Sequence, residues 1–74
     1  MPHVIVKTLT GKTEDQKVRL AEAIANDLRA IFNSPEGSIS VAIEDVPKPE
    51  WEEKVYKPEI LSIYDKLYCK PAKH

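Results

Sequence analysis

Apolar and polar positions divide the first two thirds of the chain into a strand, a helix and a second strand. Residues 3–9 carry a nearly continuous β-branched run, which favours extended structure and is typical of a strand covered on both faces. Apolar residues then recur at helical spacing over residues 18–32. Side chains over residues 38–44 alternate between an apolar face, which carries Ile39, and a second face, which carries Ser40. The pattern predicts a βαβ unit, in which two parallel strands are joined by a right-handed crossover.

The predicted helix has a start signal and a stop signal. Thr13 followed by Gln16 is spaced for a capping box, in which each residue satisfies a backbone N–H of the other. Glu14 and Asp15 fall in the first turn, where the helix dipole favours negative charge. Asn33 tolerates the left-handed conformation that ends helices, and a proline follows two residues later. The helix is therefore expected to end at about Phe32.

Prolines punctuate the last third of the chain. Pro49 and Pro58 each suit the first turn of a helix. We therefore expect a short helix over residues 49–56 and a second helix over residues 58–69. The apolar face of the second helix would consist of Leu61, Tyr64, Leu67 and Tyr68.

The predicted elements form a small α/β (α+β) unit with a helical C-terminal segment. We expect residues 1–74 to be a single domain. A chain of this length buries only about 60% of its unfolded surface, so a monomer would be marginally stable. Cys69 is the only cysteine, so no disulfide can compensate. Two parallel strands also leave both sheet edges unpaired. We therefore expect a homodimer with four central strands and the helices on one face.

Composition excludes several classes of partner. The eleven basic and twelve acidic residues are interspersed and give a net charge of −1, which argues against a nucleic-acid partner. No apolar run is long enough for a membrane span and no signal peptide is visible. The lone thiol fits a reduced, cytoplasmic setting. His3, Cys69 and His74 lack ligand spacing, so no metal site is expected.

Pro2 is the first candidate for chemistry. If Met1 is removed, the Pro2 nitrogen becomes a secondary amine at the end of the first strand. An unperturbed α-amino group has a pKa of about 8, and desolvation in an apolar pocket lowers that pKa. A base with a pKa near neutrality suits proton transfer. If Met1 is retained, the nitrogen is an amide and cannot act as a base.

Four features together resemble the tautomerase superfamily, in the 4-oxalocrotonate tautomerase group. They are Met-Pro opening a strand, the βαβ unit, the sequence GKTEDQK over residues 11–17, and Trp51 after the second strand. Members of this family commonly have the sequence Gly-Arg-Ser/Thr-x-x-Gln-Lys at the start of the helix. The similarity covers residues 2–51.

The tail is similar to one branch of that group, the small dimeric PptA-like tautomerases. The residues that carry this similarity are Trp51, Val55, Ile60, Leu67 and Lys70-Pro71. In that branch a helical C-terminal segment replaces the hairpin that lets other members assemble as hexamers. The resemblance therefore favours a dimer over a hexamer.

The resemblance implies a role for four residues. Pro2 corresponds to the catalytic amino-terminal proline, and Trp51 to an aromatic residue that walls the active site. Lys12 falls where hexameric members have an arginine that binds the distal carboxylate. Ser40 falls where they have a second arginine, which engages the 2-oxo and carboxylate end. Because lysine lacks the planar fork of arginine, dicarboxylate substrates are disfavoured.

The implied activity is a cofactor-free keto–enol tautomerase or isomerase acting on small enol or 2-oxo acids. Pro2 would act as base and then as acid, while Trp51 would exclude water. Backbone N–H groups or Ser40, with Lys12 as a peripheral cation, would hold the enolate. The side chain of His3 should point to the face of the strand opposite Pro2, so we expect no direct role for His3.

Other interpretations of these residues remain open. Trp51 would equally suit the core or a dimer interface, Lys12 a solvated turn, and Ser40 a hydrogen-bonded structural hydroxyl. Two other functions also fit the sequence. One is a catalytically inactive dimeric module of the same fold that binds a ligand or a partner, and the other is a βαβ structural subunit of a larger complex.

Overall fold

The computed structural model describes residues 1–73 and contains two parallel strands joined by a long helix. The elements are, in order, β1 (His3–Leu9), α1 (Glu14–Phe32) and β2 (Ser40–Val46). The strands pair in parallel, with His3 opposite Ser40 at the start of the ladder. This arrangement confirms the predicted βαβ unit. Within residues 1–73, none of the helices has the length and apolar character that a membrane span requires.

The predicted signals at both ends of α1 are confirmed. The Thr13 hydroxyl accepts the Gln16 N–H at 3.1 Å, and the Gln16 side-chain oxygen accepts the Thr13 N–H at 2.9 Å. Asn33 ends the helix in the left-handed conformation, with φ 56° and ψ 32°. Local sequence therefore defines α1 at both ends.

The second strand is displaced from its predicted position by two residues, running over Ser40–Val46 instead of residues 38–44. The Ser38 N–H and hydroxyl both donate to the Pro35 carbonyl, at 3.2 and 2.7 Å. Because these bonds close a turn, Ser38 cannot join the ladder. The ladder instead starts opposite His3 and ends immediately before a proline, which has no N–H to continue it.

The C-terminal part is a helical segment, residues 48–66, with a kink at Ile63, where φ is −126° and ψ is 26°. The helix continues through residues 56–58, so the prediction of two helices separated there is wrong. The segment is α-helical over Lys48–Trp51, π-helical over Glu52–Ile60 and 3₁₀-helical over Leu61–Lys66. Pro58 lies inside the π-helical stretch instead of starting a new helix. The missing N–H of Pro58 removes one hydrogen bond from the helical ladder, and the helical backbone continues past it with wider turns. The helical segment ends before Tyr68, which is fully exposed instead of lying on an apolar helix face.

The two faces of the sheet are covered unequally. Helix α1 packs on the face that carries Val6 and Ile43, since these residues line a cleft with α1 side chains. The C-terminal helical segment lies against the carboxyl-terminal part of the other face, near Val46 and Lys7. Ile5 on that face is 49% exposed, so the prediction that β1 is covered on both faces is wrong for a single chain.

Very little of the described chain is buried. Among residues 1–73 the buried apolar side chains are Val46, Val55 and Tyr56, all at or after the end of β2. Helix α1 has no buried residue. Its exposed apolar side chains include Val18, Leu20, Ile31 and Phe32.

Candidate active site

Pro2 stands at the amino edge of the sheet, the edge where both strands begin. Its carbonyl accepts the Ser40 N–H at 3.2 Å, and the residue is half-buried. This hydrogen bond fixes the carbonyl side of Pro2 within the ladder. The nitrogen lies on the other side of the residue, toward Met1, and the loss of Met1 would make it the terminal amine of the chain.

His3 and Ser40 form a polar pair beside Pro2. The His3 Nδ1 atom lies 2.6 Å from the Ser40 hydroxyl, because the parallel register sets the two residues opposite each other with their side chains on one face. That face is opposite to the one that carries Val6. Sequence reasoning missed the pairing of His3 with Ser40 because the predicted strand boundaries were displaced by two residues.

Lys12 lies at the other end of β1, in the loop that leads to α1. It borders a cleft of about 260 Å³ between the sheet and α1, whose other lining residues are Val6, Thr8, Gln16, Lys17, Leu20 and Ile43. Lys17 donates to an Asp45 carboxylate oxygen at 2.6 Å, and this hydrogen bond raises the pKa of Lys17 above its ordinary value. Lys12 forms no ion pair with another described residue. Within the cleft, Lys12 is therefore the cation available to an anionic ligand.

Trp51 is half-buried and ends the single α-helical turn that follows β2. Because β1 and β2 are parallel, their last residues meet at one edge of the sheet, here called the carboxyl edge. Lys12 and Trp51 both lie close to the carboxyl edge. Each strand has seven residues. At a rise of about 3.3 Å per residue, such a strand separates the two edges by roughly 20 Å.

The structure therefore brings together only some of the predicted site residues. Ser40 is hydrogen-bonded to Pro2 at the amino edge, whereas Lys12 lines the cleft on the α1 side of the sheet and Trp51 ends the helical turn that follows β2. Within residues 1–73, no group of three metal-binding side chains is found. His74 lies outside the described residues, and Cys69 is exposed.

The comparisons with known proteins identify the family. The model of the tautomerase enzyme family matches residues 2–52. The chain is 35% identical over 72 residues to a probable tautomerase of Xylella fastidiosa, a match that covers 97% of this chain and 88% of the relative. It is 39% identical over 73 residues to tautomerase PptA of an Enterobacter species, covering 97% and 96% of the two chains.

A solved structure supports the same conclusion. The chain is similar to a 4-oxalocrotonate tautomerase isozyme of Methylibium petroleiphilum, with a TM-score of 0.64 and 30% identity over 68% of this chain and 81% of that chain. The chain belongs to the tautomerase family, in the 4-oxalocrotonate tautomerase group, and is an isomerase enzyme. The family predicted from the sequence is thus confirmed. The family model spans all four candidate site residues but ends at residue 52, whereas the PptA relative extends over the C-terminal helical segment.

Proposed function

We propose that this tautomerase catalyses keto–enol proton transfer on small enol and 2-oxo acids, with the amine of Pro2 as base and acid. The observation that carries this proposal is the position of Pro2. Its carbonyl is tied to Ser40 at the amino edge, so its nitrogen, once free of Met1, is a positioned secondary amine. A positioned group with a pKa near neutrality is what proton transfer requires.

The proton moves in two steps. The neutral Pro2 amine takes the proton of the 2-hydroxyl group of the enol, which leaves an enolate and a protonated amine. The protonated amine then gives a proton to a carbon of the conjugated system, which yields the 2-oxo form and restores the neutral amine. A single hydrogen-bond donor aimed at the enolate oxygen would contribute about 3 kcal/mol to lowering the barrier.

We further propose a homodimer in which the carboxyl edge of one copy supplies the site of the other. One chain has three buried apolar residues among those described, too few for a stable core of its own. The exposed Ile31 and Phe32 of α1 and the exposed Ile5 of β1 offer apolar surface for a second copy. A two-fold axis perpendicular to the strands reverses their direction, so the partner's carboxyl edge can lie beside Pro2.

In this dimer, Lys12 and Trp51 of the partner copy would complete the site. Trp51 would supply an aromatic wall that excludes water and contacts the organic part of the substrate. Lys12 would be a peripheral cation that draws the anionic substrate toward the site without binding its carboxylate directly. Because neither guanidinium of the chain lies at these positions, the preferred substrates would carry one carboxylate, for example an aryl-substituted enol acid.

The test joins the intact mass of the purified protein to its rate of ketonising phenylenolpyruvate, beside a Pro2→Ala variant. We expect Met1 to be absent and the rate to fall by about 100-fold or more in the variant, the range of general acid–base catalysis. Equal rates in the two proteins would overturn the role of Pro2. A protein that lacks Met1 yet does not exceed the buffer rate with several enol acids would instead support the inactive ligand-binding module.

A further inference from the structure

His3 is the titratable side chain next to Pro2, and the mechanism above leaves it unused. Its ring is bonded to Ser40, whose own N–H is bonded to the Pro2 carbonyl. Ser40 therefore links the imidazole to the residue that carries the reacting nitrogen. We propose that His3 is the residue that binds the carboxylate of the substrate and that Ser40 holds its ring in place. This inference rests on the proposed function, because it concerns the same site.

The alternation of side chains along β1 does not separate His3 from the chemistry. The reacting atom of Pro2 is a main-chain nitrogen at the open edge of the sheet, so it is not confined to either face. His3 and Ser40 are both exposed, so a substrate at that edge can reach the imidazole. A small enol acid spans the distance between neighbouring residues of a strand, which is about 3.3 Å.

The hydrogen bond to Ser40 leaves the outer ring nitrogen of His3 available. When the Ser40 hydroxyl donates to Nδ1 of the neutral ring, Nε2 carries the proton and can donate to a carboxylate. When the ring is an imidazolium, Nδ1–H donates to the Ser40 oxygen and Nε2–H is again a donor, now with a positive charge. Both states offer one oriented N–H, and the second also attracts an anion, whereas the neutral Nδ1–H tautomer leaves Nε2 as an acceptor, so a bound carboxylate favours the first two states.

Among the strand residues that the structure describes, one other cationic side chain, that of Lys7, lies on the face that carries His3. The residues that share the face with His3 and Ser40 include Lys7 and Glu44. Lys7 is tied to Glu59, and this hydrogen bond raises its pKa above the ordinary value. It stands four positions along the strand from His3, which is about 13 Å. Within the described part of one chain, His3 is thus the cationic or donor side chain within reach of a substrate at Pro2.

A pair of substrates that differ in one charge tests the inference. Phenylenolpyruvate carries a carboxylate, and the enol of methyl phenylpyruvate has a neutral ester at the same place. We expect His3→Ala to lower kcat/KM for the acid by about 10- to 100-fold, mainly through KM, because a hydrogen bond to a charged group is lost. The value of kcat/KM for the ester should change little. His3→Gln should restore part of the loss, since its amide N–H can donate.

The controls separate recognition from structural damage. Lys7→Ala removes a cation from the same face and should reduce the rates of the acid and the ester equally, if at all. Ser40→Ala should also lower kcat/KM for the acid more than for the ester, but by a smaller factor than His3→Ala. The imidazole is still present in this variant but is no longer held by the hydroxyl. If His3→Ala reduces the acid and the ester by the same factor, the inference is wrong.

A binding measurement keeps the inference testable if the protein shows no tautomerase activity. Cinnamate cannot ketonise, and cinnamamide is its neutral counterpart. We expect cinnamate to shift the backbone amide NMR signals of the amino edge at lower concentration than cinnamamide does, and the preference to disappear in His3→Ala. Preference for cinnamate without catalysis would overturn the proposed function alone. Equal binding of the two compounds would overturn the role of His3 alone.

Discussion

The two edges of the sheet differ in what they contribute. The amino edge holds Pro2 and the His3–Ser40 pair, joined by two hydrogen bonds and open to solvent. The carboxyl edge adjoins the buried residues, since Val46 ends β2 and Val55 follows in the helical segment. The edge proposed to hold the reacting nitrogen is thus the less protected one. A dry site there requires cover from another copy of the chain, and the carboxyl edge has the residues to provide it.

The largest effect should come from blocking the Pro2 nitrogen without changing any side chain. A variant with residues added before Pro2 that are not removed in the cell keeps the nitrogen as an amide. We expect its rate with phenylenolpyruvate to equal the buffer rate, because an amide nitrogen has no basic lone pair. Proteolytic removal of the extension should restore the rate, which serves as the control. An extended protein that is fully active would contradict the role of the amine.

A charge at the carboxyl edge should have the next largest effect. Trp51→Asp would place a carboxylate beside an anionic substrate, and such like-charge contacts cost several kcal/mol, so kcat/KM should fall by about 100-fold or more. Trp51→Phe keeps an aromatic wall, so its kcat/KM should fall by less than about tenfold. Steady-state kinetics with phenylenolpyruvate measure both. Equal losses in the two variants would indicate that Trp51 fills space instead of walling the site.

Stability should depend more on the carboxyl edge than on the amino edge. Val55 is 4% exposed, whereas Val4 in β1 is half-buried. Val55→Ala should lower the free energy of unfolding by about 1–3 kcal/mol, the value of a fully buried valine side chain. Val4→Ala is the matched control and should lower the free energy of unfolding by a smaller amount. Urea denaturation at fixed protein concentration measures both, and a larger loss for Val4→Ala would reverse the comparison.

The smallest effect should come from Lys12. Exposed charges contribute little to binding energy, so Lys12→Gln should raise KM by about fivefold or less. Adding 0.5 M salt should remove the difference in KM between the two proteins, because salt screens such charges and shortens the screening length to about 3 Å at about 1 M. Lys12→Arg sharpens the test, because the guanidinium fork binds a second carboxylate in two places. We expect it to favour a dicarboxylate enol over phenylenolpyruvate. An unchanged ratio of kcat/KM values for the two substrates would place Lys12 outside the site.

The sequence predicted what depends on neighbours along the chain. The capping box of Thr13 and Gln16 and the left-handed Asn33 are local, and both are confirmed. These features need no knowledge of the fold.

The features that the sequence did not predict depend on contacts between distant residues. The turn at Ser38 sets where β2 starts, and only that register reveals the His3–Ser40 pair. The local preference of proline predicts that a helix starts at Pro58, yet Pro58 lies inside the π-helical stretch, which continues on both sides of it. The roles of Pro2 and Trp51 stay predictions, because one chain places them at opposite edges.

The central claim is that one copy supplies Pro2 and the other supplies Trp51, and mixing two inactive variants tests it most directly. Pro2→Ala and Trp51→Asp would be unfolded together, refolded as a mixture and assayed with phenylenolpyruvate beside each variant refolded alone. Half of the randomly formed dimers contain both variants, and in each of these one of the two sites is intact. If the site is shared between copies, the mixture should have about a quarter of the wild-type rate. A mixture no more active than the two variants measured separately would contradict a site shared between copies.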